Sequence, residues 1–378
     1  MSELEPLIAC FALILICAGA MTSRKRIEWM SKTFTDNLTE RERMLPLVIT
    51  LIFALTSGVV MDVNAQKLDR QQRKERMDSV LTARYYSIPY DTNYVVRPDG
   101  KLTLKVRVNQ TGNSFHVKGA VNGIPAKADL KTSHKNTVSI GASYRGISTA
   151  LALNPGKLSG AYKDYEFNLN YYSNVISLDF SYQRSTTLAG DVYRNDNLER
   201  LESGDLTLKV VNLAGYYSIN HRRFSYPAAF TQTYIQRRSA GSWLAGISYQ
   251  GGRIETSRSL KEKNPNAPEV NIELGHIGIG GGYGQNWVLG KKWLIHFSML
   301  PTVVVYNRNN FILNGERKEA KHIRFNMIFN ERAAVVRNFS SRYFAGITFV
   351  MNNSVFDDDS VIVNQNKWRA RAIFGLRL

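Results

Sequence analysis

The chain has 378 residues, with 49 Lys and Arg against 31 Asp and Glu for a formal net charge of +18, and a mean hydropathy of −0.26. That hydropathy is too polar for a helical membrane protein. Both cysteines, Cys10 and Cys17, fall within the first twenty residues, so the rest of the chain has neither a disulfide framework nor a thiolate metal site. Abundant glycine (27) and tyrosine (19) suit glycine-punctuated strands with aromatic girdles, in which only alternate residues meet lipid.

The N-terminus has two layers. Residues 1–43 read as an over-extended start or an extra N-terminal segment. Residues 44–65 read as an export signal: Arg41 and Arg43 precede an apolar run from Leu45 to Val60, and Val63-Asn64-Ala65 provides a small-residue cleavage pattern before Gln66. Cleavage there would remove six Lys and Arg and seven Asp and Glu, so the exported part stays strongly basic. A soluble protein this basic suggests nucleic acid. Export argues against that partner and for lipopolysaccharide phosphates or an anion-lined pore.

Residues 66–101 form a polar lead-in, with Pro89 and Pro98-Asp99-Gly100 as turn signals. From residue 102 the alternation predicts an antiparallel transmembrane β-barrel of about twelve strands, with ten or fourteen as alternatives. Leu102, Leu104, Val106 and Val108 alternate with Thr103, Lys105 and Arg107, and Asn109-Gln110-Thr111-Gly112-Asn113 reads as a turn into Phe115, Val117 and Gly119. One strand is expected over 138–153. Phe167, Leu169 and Tyr171 follow, then a tight turn at Ser173-Asn174 and a strand from Ile176 to Tyr182. Further strands are predicted over 206–220, 240–251, 271–284, 291–306, 320–337, 341–352 and 366–378. The loops 184–205, 252–270, 307–319 and 353–365 are expected on the outer side, and 285–290 and 338–340 as short inner turns. An even strand number then requires 221–239 to form no span. It becomes a long connector on the inner side, folded into the lumen.

The closing strand is the clearest. Trp368, Ala370, Ala372, Phe374, Leu376 and Leu378 share one parity, while Arg369, Arg371 and Arg377 share the other. It has the form of an outer-membrane closing strand, which implies recognition by barrel-assembly machinery. The run Tyr90–Tyr94, the segment Leu102–Asn113 and the segments Phe224–Phe230 and Arg238–Ser242 resemble an uncharacterised Bacteroidota family of outer-membrane barrels, known only as a domain of unknown function. The resemblance covers roughly residues 85–378 and implies location and fold, with no catalytic residues.

Candidate chemistry is sparse. His296 and Ser298 share a strand face, as base and nucleophile could. They resemble the His-x-Ser pair of outer-membrane phospholipases, in which a later asparagine holds the imidazole. Asn307, Asn309 and Asn310 are near that spacing. Parity, however, puts Trp293, Ile295 and Phe297 toward lipid and His296 and Ser298 toward the lumen, so ordinary lumen lining is preferred and no enzyme is expected. Asp357-Asp358-Asp359 reads as a solvated turn rather than a calcium loop, and the glycines from Gly278 to Gly284 as strand curvature rather than a phosphate loop. No cofactor or metal site is expected. Arg107, Arg145, Arg324, Arg369 and Arg371 are the candidates for a basic lumen, either passing anions or paired with Asp179, Glu166 and Glu331 in a filled barrel. A structural or binding barrel with a filled lumen is therefore preferred over a small anion channel, and both over a lipid-active enzyme.

Overall fold

The computed structural model describes residues 89–378 except 99, 101, 122–123, 145–146, 155–163, 195–196, 266–268, 314–315, 320–325 and 359–360. Residues 71–72, 75–76 and 79 are also described; they are helical and belong to a separate compact unit, Met1–Val80. The expected start segment and export signal, 1–65, lie outside the described residues.

The chain folds as a closed antiparallel β-barrel. Ten strands complete the circuit: β2 (Leu102–Val121), β3 (Ile124–Lys131), β7 (Ile176–Arg194), β8 (Asn197–Ser218), β10 (Ala240–Thr256), β11 (Val270–Leu289), β12 (Trp293–Leu313), β14 (Met327–Asn338), β15 (Tyr343–Asp358) and β16 (Val361–Arg377), which returns to β2. β3 continues past Thr132–His134 as β4 (Lys135–Tyr144), so both run along β2. The short strands β5 (Ile147–Leu153) and β6 (Tyr165–Tyr172) pair with β4 and with the first half of β7, and β13 (Glu316–Glu319) pairs with the far end of β12. β5 and β6 add two strands to the half of the wall nearest Leu102 and Leu378, here called the terminal rim. Ten strands close the wall, and in its terminal half β5 pairs with β4 and β6 with β7 outside that circuit.

Several expected turns and loops are strand. Asn109-Gln110-Thr111-Gly112-Asn113 is the middle of β2, because its polar residues face a wet interior. Asn109 accepts from Arg371 Nε at 2.6 Å and Thr111 donates to Glu166 at 3.0 Å. Gly112 is required because the Trp368 indole lies 2.8 Å from where its Cβ would be. The single strand expected over 138–153 is the β4–β5 hairpin, and β3 is a strand beyond those expected. The expected outer loops 184–205, 252–270, 307–319 and 353–365 are largely extensions of β7, β8, β10, β12, β15 and β16 beyond the apolar belt. Polar alternation without apolar residues conceals such extensions.

Outward side chains form the belt: Val106, Trp243, Ile247, Ile279, Phe297, Val305, Ile347 and Phe374 are all exposed, with Trp287, Trp293, Phe339 and Tyr343 toward the terminal rim. A closed barrel with apolar residues outside and polar residues within is the membrane-spanning arrangement. The interior is layered. An apolar cluster around Phe224, Tyr226 and Phe230 fills the terminal half. Two further clusters, around Phe115, Leu188 and Leu208 and around Val304, Ile328 and Phe356, pack along the wall of the far half. Between them is a small polar pocket of about 30 Å³, lined by Asn170, Asn212, Gln250, Asn330, Lys367 and Arg369 among others.

Candidate functional site

The segment 221–239 spans no membrane and plugs the terminal half of the lumen. Its core is a one-turn helix, α1 (Tyr226–Phe230), capped by the Ser225 hydroxyl, which accepts from Ala228 N at 3.3 Å, with Pro227 in the first turn, where its missing N–H costs nothing. All five helix residues are buried, as a helix apolar on every side must be. The lead-in docks on the same segment. β1 (Val95–Val96) pairs with β9 (Ile235–Gln236), Val95 is fully buried, and Arg97 donates to the Tyr234 hydroxyl at 2.9 Å. Burial raises the phenol pKa of both Tyr226 and Tyr234 above its ordinary value.

The plug is fastened to the wall by one continuous network. Tyr226 donates to Ser298 Oγ at 2.9 Å, Ser298 lies 3.0 Å from His296 Nε2, and His296 Nδ1 lies 2.7 Å from Asn286 Oδ1. The Asn286 amide nitrogen donates to the Ser225 carbonyl and to Gln236 Oε1, both at 3.0 Å. Both amide hydrogens are therefore committed to the plug, and the amide oxygen must accept. It follows that His296 carries its proton on Nδ1, that Nε2 accepts from Ser298, and that Ser298 accepts from Tyr226. Every polar group is satisfied by a single arrangement of hydrogens. Ser225 also donates to Asn174 Oδ1 at 2.7 Å, tying the plug to the β6–β7 turn.

The serine–histidine–asparagine order is also that of a nucleophile relay. The asparagine is not one of those expected. Asn310 bonds Glu273 at 3.2 Å, and Asn307 and Asn309 likewise lie along the far end of β12, whereas Asn286 stands opposite His296 in the β11–β12 register. That register is set by the tight turn at Gly290-Lys291-Lys292, so the hairpin carried the signal that linear spacing did not. His296 and Ser298 face the lumen as parity required. They are 1% exposed beneath Phe224, Tyr226 and Phe230, whose rings lie 5.8, 5.1 and 5.1 Å from the imidazole. Phe224 also lies 3.0 Å from where a Cβ on Gly284 would be, closing the space beside Ser298. These rings cover the set, and its hydrogen bonds tie the plug to the wall.

Of the basic candidates, Arg107, Arg369 and Arg371 lie on the inward parity of β2 and β16, and Arg145 and Arg324 lie outside the described residues. Arg371 bonds Asn109, and Arg369 donates to Asn170 Oδ1 at 3.4 Å. The expected carboxylate partners are disposed otherwise. Asp179 is held by Arg332, with Nη2 at 2.5 Å and Nε at 3.2 Å, and accepts from Tyr216 at 3.0 Å and from Tyr172. Glu166 bonds Thr111 and Asn168. Glu331 is on the outer face beside Phe329 and Ala333, because strand parity carries it away from the lumen. Alternation alone placed Lys105 and Arg377 on the inward parity without marking them as site residues, and it did not mark Arg332; these three serve the interior most directly. Lys105 donates to the Thr231 carbonyl and Arg377 to the Gln232 carbonyl at 3.3 Å, so wall cations take up carbonyls at the end of the plug helix. Asp359 lies outside the described residues, and among those described no group of three or more His, Cys, Asp or Glu is placed to hold a metal. The glycines from Gly278 to Gly284 are strand: a Cβ on Gly280 or Gly282 would lie about 2 Å from a backbone carbonyl of β12.

No curated protein matches the chain. Among solved structures, it is similar to the toluene transporter TodX of P. putida, at 8% identity over 74% of this chain and 91% of that one, with a TM-score of 0.24. The translocator domain of the autotransporter NalP from Neisseria meningitidis matches at 8% identity over 81% and 96%, with a TM-score of 0.29. OprG from Pseudomonas aeruginosa matches at 10% identity over 74% and 97%, with a TM-score of 0.24. Overlaps this slight carry no argument, and the fold rests on the strand pairing of the chain itself. Residues 89–377 match the family described as a domain of unknown function, DUF4421, and the chain belongs to that family.

Proposed function

We propose that the protein is an outer-membrane barrel of a Gram-negative envelope, with its terminal rim toward the periplasm and a lumen held closed by its own plug, serving a structural or binding role. The observation that carries this reading is the fully buried Tyr226, fastened through Ser298, His296 and Asn286 to the inside of the wall. The apolar belt and the aromatic residues at the terminal rim support an outer-membrane placement with lipopolysaccharide outside and barrel-assembly machinery as the inserting partner. The Ser298 set is read as a lock, and the protein as no enzyme. Liposome swelling tests the closure: vesicles bearing the wild type should exclude small sugars and organic anions alike, and swelling at porin rates would refute it.

A second reading is favoured by the charge of the interior. Arg107, Lys367, Arg369 and Arg371 line the lumen with Glu166 beside Lys367 and Arg369 and Asp179 nearer Arg371, so cations outnumber acids and any path opened by displacing the plug would favour anions.

A further inference from the structure

We propose that the outer surface of the plug, together with the terminal rim, is a docking surface for an extended acidic segment of a second protein. This rests on the reading that the terminal rim faces the periplasm. Four arginines flank the plug helix, Arg222 and Arg223 before it and Arg237 and Arg238 after it, and all four are exposed. Lys291 and Lys292 are exposed on the β11–β12 turn, and Arg337 and Arg342 beside the β14–β15 turn. Main-chain contacts join these groups into one surface. Val288 N donates to Ser239 Oγ at 2.9 Å and Asn338 N to the Lys292 carbonyl at 2.9 Å. Among the described residues of this rim, Asp91 is the one acidic side chain, and it already bonds Arg223 at 3.3 Å.

The chemistry favours carboxylates on a polypeptide. Six of the eight cations are arginines, whose planar forks pair carboxylates two bonds at a time. Three are stacked on rings: Arg223 and Arg238 lie 5.0 and 5.9 Å from the Tyr94 ring, and Arg337 lies 5.0 Å from Trp293. Stacked guanidinium beside tyrosine and tryptophan is the composition that protein interfaces concentrate. A bilayer leaflet is a poorer match, because the four plug arginines stand over the mouth of the lumen, inside the ring of wall strands. The surface also accepts such a segment from its own chain, since the lead-in lies on it with Asp91 on Arg223 and Val95–Val96 paired to β9.

The test uses the full chain purified in detergent micelles and a fluorescent decaglutamate peptide at 150 mM salt. We expect saturable binding, weakened about tenfold or more when Arg222, Arg223, Arg237 and Arg238 are all changed to Gln, as the loss of four surface ion pairs implies. The melting temperature of that variant shows whether the barrel is intact. If it is not, charge reversal at Arg238 alone, Arg238→Glu, should still weaken binding severalfold. No binding, or binding indifferent to these changes, overturns the proposal. So does equal affinity for polyphosphate of matched charge, or loss confined to the Lys291, Lys292, Arg337 and Arg342 set with anionic phospholipid co-purifying, which would make this a lipid contact. Labelling of Ser239→Cys by an impermeant maleimide in intact cells tests the orientation separately, so the two readings fail independently.

Discussion

Asn286 and His296 face each other across the β11–β12 hairpin, with the amide oxygen 2.7 Å from Nδ1 of the imidazole. The same amide gives its two hydrogens to the plug, so one buried side chain fixes the histidine and holds Ser225 and Gln236 in place. The pair is the hinge between wall and plug, and its removal should separate the fate of the plug from that of the barrel.

Asn286→Ala leaves His296 Nδ1 without a partner in a buried setting, at about 1–3 kcal/mol, and removes one donor each from the Ser225 carbonyl and from Gln236 Oε1, which keeps Ser225 N at 3.1 Å. Limited trypsin digestion is expected to cut at Arg222, Arg223, Arg237 or Arg238 much faster than in the wild type, while the barrel keeps its heat-modifiable migration on gels. Equal cutting rates would show that the network does not hold the plug.

Ser298 has its donor committed to His296 and its oxygen covered by Tyr226, so it should be inert as a nucleophile. A fluorophosphonate probe is expected to leave the wild type unlabelled. Ser298→Ala should cost about 1 kcal/mol or a little more in stability, the worth of the bonds it makes. Stoichiometric labelling that disappears in Ser298→Ala would replace the lock with a nucleophile.

Asp179 is the carboxylate on which Arg332, Tyr216, Tyr172 and Asn170 converge. Asp179→Asn should destabilise the barrel by about 3–5 kcal/mol, because it leaves Arg332 buried and uncompensated. Adding Arg332→Met should recover most of that loss. Urea unfolding of the two variants decides the matter, and a double variant no better than the single would show that Asp179 acts through its tyrosines instead.

The plug should loosen in alkali. Burial holds the Tyr226 and Tyr234 phenols above their ordinary value, so the unfolded plug gives up these protons first as pH rises. The contribution of the neutral phenols is complete below the ordinary phenol value of about 10 and is lost as pH climbs past it. Trypsin cutting in the plug, followed from pH 8 to 11, should accelerate only in the upper part of that range and less so in Tyr234→Phe.

The fold was legible wherever one face of a strand had to be apolar. Trp293 to Val305, Tyr343 to Met351 and Trp368 to Leu378 alternate cleanly because lipid requires it. The parity of His296, Ser298, Arg369 and Arg371 followed from the same pattern. The exclusion of 221–239 from the wall followed from counting directions, and the buried Tyr226 agrees with it. What misled was polarity on the wet face. Asn109, Thr111 and Asn113 read as a turn although they face the lumen, and the strand extensions beyond the belt carry no lipid signal at all. The lock was hidden for a different reason. Asn286 is ten positions before His296 and meets it only across a hairpin, and Tyr226 arrives from another part of the chain. Arg332 is hard to read because Ala333, Ala334 and Val335 beside it blur the alternation that would put it inward and Glu331 outward.

The central claim is that the plug closes the lumen. Single-channel recording in planar bilayers, comparing the wild type with a variant in which residues 222–238 are replaced by a short Gly-Ser linker, tests it most directly. The wild type should show no steady conductance, and the variant should conduct with a preference for anions set by Arg107, Lys367, Arg369 and Arg371. A stable open conductance in the wild type, unchanged by the replacement, would contradict the account.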